Sequence, residues 1–223
     1  MKKHRIIVLF LIACAMWSYF YVPEPTILAV RIGLPFEEVV RLSTFPVMTS
    51  SDIPTDDPQG LGATFVTKPA VIIKFSDPQY GFTLPATTFA GISYVDGKVS
   101  TLRTSPMLSK RPFNQAFAEF SLLQRQLQTS GWRLDDGTSW IDITPTGRIR
   151  LHEDLKQRRN GHVKVVSLVA PGKYSLYLMI SCAGRCDSSI GLDRYLIDIS
   201  VGKDFGHEIE KRNHQQREEA MPP

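Results

Sequence analysis

Apolar and polar residues follow one another along this chain in three rhythms. The first is an unbroken apolar run over residues 6–22, IIVLFLIACAMWSYFYV, with no charged side chain. The second has the helical period. Phe113, Ala116, Phe117, Phe120, Leu123 and Leu127 form one stripe, which predicts a helix over 112–130 with Gly131 as its terminator. Phe36, Val39, Val40 and Leu42 give a shorter one that opens at Pro35, carries Glu37 and Glu38 in its first turn and stops at Phe45-Pro46. Thr144 and Pro145 are a cap and first-turn pair, predicting a helix to about Arg159, closed by Asn160-Gly161.

The third rhythm has period two. It predicts strands over 70–75, 80–84, 90–95 and 98–104, the last two joined by the tight turn Asp96-Gly97. These four read as one antiparallel meander. Residues 26–32 are a leading strand or linker, 139–143 a short strand around Trp140, and 162–170, 173–182 and 195–201 the final strands. Residues 48–62, rich in Asp, Pro, Ser and Thr, predict a long loop, and the stretch from Phe205 a polar tail.

The fold class is therefore α+β, with helix-plus-meander units behind an N-terminal segment. The expected division is 1–22, an anchor or signal; 23–106, a first unit; 107–204, a second unit packed on it; and 205–223, the tail. Leu34-Pro35-Phe36 and Arg111-Pro112-Phe113 each open a helix that leads to strands, which suggests two similar halves.

The apolar run follows Lys2, Lys3 and Arg5, and Trp17, Tyr19 and Tyr21 crowd its far end. At 1.5 Å per residue it spans about 26 Å, close to the lower limit for a bilayer core. With the basic cluster held inside, the bulk of the chain faces out, so the expected place is the bacterial inner membrane with the main domain in the periplasm. Two other readings stay open. Leu11-Ile12-Ala13-Cys14 fits a lipobox, which makes Cys14 a candidate for lipidation and a lipid anchor. The other is cleavage of the segment as a signal peptide.

Charge changes this picture little. The net charge is +4, but without the three leading cations the balance is 23 basic against 22 acidic residues, which gives no electrostatic reason to expect nucleic acid. Cys182 and Cys186, spaced C-x3-C around Gly184, are close enough for a disulfide at a hairpin tip, sensible in an oxidising compartment. A metal site would need two further ligands, and His162 and His207 have no spacing that demands it.

The chain carries no G-x-S-x-G, H-E-x-x-H, P-loop or dinucleotide fingerprint. His152-Glu153-Asp154 does not converge, because neighbours on a helix point about 100° apart. No catalytic, cofactor or metal residue is assigned, and the expectation is a non-enzymatic protein, with an unrecognised periplasmic enzyme as a further alternative. The candidates for contact with a protein partner are Asp52, Asp56 and Asp57 in the polar loop, Arg148, Arg150, Arg158 and Arg159 on the third helix, and Arg185 at the hairpin tip.

Residues 31–47, RIGLPFEEVVRLSTFPV, resemble the opening of periplasmic modules of the outer-membrane assembly lipoprotein BamE type, and of the β-lactamase inhibitor protein fold, at Gly33, Leu34 and Val39. The resemblance implies binding of a protein by a sheet face and loops. The overall layout is also similar to periplasmic immunity proteins that neutralise type VI secretion effectors. It implies a toxin as partner, with an envelope component as the alternative.

Overall fold

The computed structural model describes residues 25–53, 59–157, 162–186 and 191–206. The anchor expected over 6–22 lies outside them, and no helix among the described residues is long and apolar enough to cross a membrane.

Three α-helices are described: α1 Phe36–Leu42, α2 Phe113–Thr129 and α3 Pro145–Lys156. Eleven strands join them: β1 Thr26–Val30, β2 Ser51–Asp52, β3 Gly62–Val66, β4 Val71–Phe75, β5 Phe82–Thr83, β6 Ala90–Val95, β7 Lys98–Thr104, β8 Arg133–Leu134, β9 Val163–Ala170, β10 Tyr174–Gly184 and β11 Arg194–Lys203. The class is α+β, with sheets mostly antiparallel. One sheet of eight strands runs β2-β3-β6-β7-β11-β10-β9-β8, and one of three runs β1-β4-β5.

The strand order has a plain logic. Each half supplies a helix, a two-residue edge strand and three longer strands, and the last strands of the halves, β7 and β11, pair at the centre from Thr104↔Ile199 to Thr101↔Gly202. The sheet thus runs straight across the boundary expected at 106/107. Both Pro35 and Pro112 sit at helix starts with nearly the same backbone, ψ 148° and 151°. The first half adds the three-stranded sheet, and the second adds α3.

The meander expected over 70–104 is corrected. β3 pairs with β6, while β4 leaves the large sheet and runs parallel to β1, from Thr26↔Val71 to Val30↔Phe75. The physical reason is burial: Val71, Ile73 and Phe75 pack with Leu28 and Val30 in the core, where a second layer is needed. The stretch 48–62 is not wholly a loop either, since a 3-10 turn at Met48–Ser50 leads into β2.

The strand expected at 139–143 is absent. Gln124, buried on α2, takes both backbone groups of Ile141: its Nε2 donates to the carbonyl at 2.9 Å and its Oε1 accepts the N–H at 3.1 Å. The strand that pairs with β9 is β8 instead. Helix α1 stops at Ser43, before Phe45-Pro46, because the hydroxyls of Ser43 and Thr44 accept the N–H groups of Ala29 and Ile27.

The α2 stripe is buried throughout and packs on β10 and β11. Thr144 caps α3 by accepting the Gly147 N–H at 3.1 Å. Gly147 is fixed by space, since a Cβ there would overlap the Asp142 backbone and side chain. At one end the layers are tied through Asp77, whose carboxylate accepts the Tyr174 hydroxyl at 2.8 Å and the N–H groups of Gln79 and Tyr80. Phe75, Phe82, Tyr80, Trp132 and Tyr174 pack around it.

Candidate binding face

Along every long strand of the large sheet one set of alternate residues is buried. Ile92, Leu102, Ile199, Leu178 and Leu168 are wholly enclosed. The helices and the small sheet share that single core with them, so both lie on one side. The intervening residues form a second face that is bare over most of its breadth among the described residues; at the β9 end Ser167 is buried, its hydroxyl donating to Asp135 Oδ2.

The register places one row straight across this face: Phe65 on β3, Gly91 on β6, Arg103 on β7, Ser200 on β11, Tyr177 on β10 and Ser167 on β9. Phe65 is 57% exposed and Tyr177 46%. With strands about 4.8 Å apart, four steps separate them by roughly 19 Å. Between them Gly91 offers a flat spot with nothing within 4 Å of a built Cβ. The neighbouring row carries Asp198, Met179 and Val165. Asp198 accepts a hydrogen bond from the Ser105 hydroxyl. The face therefore combines aromatic, Met and Arg side chains with one carboxylate, types that anchor protein interfaces.

Tyr177 also borders a cleft of about 390 Å³, lined by Asp135, Asp136, Lys203, Asp204 and Phe205 among others. Asp204 is buried and accepts the Gly172 N–H at 2.9 Å.

A second polar cluster lies on the helix side. His152 Nε2 sits 3.0 Å from Asp193 Oδ2, and its ring stacks on Phe113 at 4.2 Å. Burial works against the ionised Asp193. The hydrogen bond to His152, then the Tyr195 hydroxyl, the local backbone N–H and the Lys156 ammonium at 4.0 Å outweigh it and hold the carboxyl below its usual range. The buried Tyr195 hydroxyl faces the Asp193 carboxylate outside ideal hydrogen-bond geometry but close enough to interact with it, and burial, then the carboxylate, push its pKa up. Among the described residues no hydroxyl or thiol is hydrogen-bonded to His152. The cluster fastens α3 to the start of β11.

The residues expected from sequence do not come together. Asp52 is exposed on the edge strand β2, and Arg148 and Arg150 are exposed on α3, across the core from the open face. Arg185 lies at the tip of β10 with φ 54°, between Cys182 and Cys186, whose sulfurs are bonded. No hydrogen bond or ion pair joins any of these to another among the described residues. Asp56, Asp57, Arg158, Arg159 and Cys14 lie outside the described residues. Sequence reasoning passed over Phe65, Arg103 and Tyr177. Their signal was an aromatic or arginine at the polar beat of an alternating strand. Among the described residues no three His, Cys, Asp or Glu side chains converge on a metal position. No protein-family model, curated protein or solved structure matches this chain.

Proposed function

We propose that this chain is a protein-binding module of the bacterial envelope, tethered through residues 6–22, and that it is an inhibitor or immunity protein for a secreted toxin. The observation that carries the binding reading is the outer face of the eight-stranded sheet, with Phe65, Arg103 and Tyr177 in one cross-strand row. A patch of this span suits a partner surface of about 800 Å². The Cys182–Cys186 bond supports an oxidising compartment.

The test substitutes Phe65→Glu and Tyr177→Glu in the full chain. Both positions are exposed, so stability is expected to change by less than about 0.5 kcal/mol. Loss of an aromatic anchor weakens binding by about 2 kcal/mol or more, some thirtyfold. The partner is captured from the envelope of the native host and expressed alone for toxicity. Capture that is lost in both variants supports the binding face, and relief of toxicity by the unaltered chain only makes the module an immunity protein. A non-toxic envelope component as the captured partner would shift the reading to an assembly scaffold. Undiminished capture by both variants would sink the face.

A further inference from the structure

The edges of the two sheets are finished in different ways. On β1 the Ile27 and Ala29 N–H groups donate to Thr44 Oγ1 and Ser43 Oγ, and the Ile27 carbonyl accepts the N–H groups of Thr44 and Phe45. On β5 the Gln126 carboxamide, turned as its neighbours require, donates to the Thr83 carbonyl at 3.1 Å and accepts its N–H at 3.0 Å. The outermost strands of the large sheet, β2 and β8, are two residues each. Plugged and short edges resist further pairing.

β9 is left bare over the longest stretch, since β2 pairs Ala63 and Thr64 of the five residues of β3 while four in a row lack a strand on β9. β8 covers only Leu168 and Val169, and the Asp135 N–H takes the Ser167 carbonyl. Residues 163–166 have no strand on that side among the described residues. The Ser167 carbonyl points away from β10, and in an antiparallel strand the N–H and C=O of alternate residues share one side. Val163 and Val165 therefore also direct their N–H and C=O groups outward, and the His162 carbonyl, of opposite parity, accepts the Cys182 N–H from β10. The side chains of Val163 and Val165 stand half-exposed on the open face, while Lys164 is exposed on the other.

We propose that this β9 edge receives an extended segment of the partner protein as a ninth strand. The four outward backbone groups of Val163 and Val165 give the pairing. The two valines select apolar residues at alternate positions on the open face, and Lys164 selects an acidic residue between them. The turn that follows β8 limits the added strand to about five residues, the length set by an edge ending at Ser167. The inference deepens the binding reading and rests on it, adding a main-chain contact to the side-chain face.

The probe is the blocked peptide Thr-Val-Glu-Val-Thr, titrated into the isotope-labelled full chain in detergent and followed by amide resonances. Saturable shifts at Val163 and Val165 are expected. They vanish with the same peptide N-methylated at both valines, which keeps its side chains and loses its donors. Val165→Pro removes one outward N–H without touching the β9–β10 ladder and is tolerated on an edge. It is expected to weaken the peptide about tenfold or more, with the thermal midpoint checking the fold. Equal binding of the N-methylated peptide, or no shift at these valines, overturns the proposal. So does a shift of the same amides with protein concentration alone, which would assign the edge to a second copy of the chain. Partner capture lost in Tyr177→Glu but intact in Val165→Pro removes this inference and leaves the binding face standing. Peptide binding at the edge with capture intact in both face variants does the reverse.

Discussion

Gln124 offers the sharpest check on the packing. It is 1% exposed in the middle of α2, and among the described residues it alone satisfies the N–H and C=O of Ile141, itself buried. Gln124→Leu keeps the volume and the helix propensity nearly constant, so the change isolates the two hydrogen bonds. Each orphaned backbone group costs about 1–3 kcal/mol, and burial of the leucine returns about 1–2 kcal/mol. The expected loss is about 3 kcal/mol, which for a chain of this size lowers the thermal midpoint by about 6–12 °C. The assay is thermal unfolding followed by circular dichroism, paired with hydrogen exchange at the Ile141 amide. That amide is expected to lose protection. A fall of less than about 2 °C, with Ile141 as protected as before, would refute the claim that the amide bridge replaces a strand here.

Further consequences can be measured on the same protein. Cys182→Ser closes no loop, and on the chain-entropy estimate costs about 2 kcal/mol, visible as a lower denaturant midpoint under oxidising conditions and no difference under reducing ones. Gly147→Ala gains about 1 kcal/mol of helix propensity but drives a methyl group into Asp142. Net destabilisation of about 2 kcal/mol is expected in a urea melt. Burial works against the Asp77 carboxylate, but the N–H groups of Tyr80 and Gln79, then the Tyr174 hydroxyl, hold its pKa below the usual range. A lowered folded value means that the stability it brings is complete above about pH 4, the unfolded value, and is lost as pH falls through the folded one. The urea midpoint is expected to drop as the pH falls below about 4, and less steeply in Asp77→Asn.

Local rules made much of the fold legible. The α2 stripe has the helical period over its whole length, the Asp96-Gly97 turn fixes β6 against β7, and Thr144-Pro145 marks the start of α3. The misses are pairings between distant residues. Nothing in the run at 71–75 says that it will lie parallel to 26–30, since a continuous apolar strand fits either sheet. The expected strand at 139–143 has strand-like residues, but Gln124 claims Ile141 from another element. In the sequence His152 stands beside Glu153 and Asp154, whereas its carboxylate partner is Asp193, 41 positions on. The open face was hidden for a related reason: alternation tells which residues share a face, and only the assembled layers tell which face stays bare. The charged residues first favoured as contacts stand apart on β2, α3 and the hairpin tip, because charge in a sequence marks exposure and carries no information about convergence.

The most direct test of the binding claim is photo-crosslinking in the intact envelope of the native host. A photoreactive amino acid replaces Tyr177 on the open face in one strain and Arg148 on α3 in another. The account predicts a single dominant adduct from position 177 and none from 148. An adduct formed from 148 with none from 177 would contradict it and move the binding surface to the helical side.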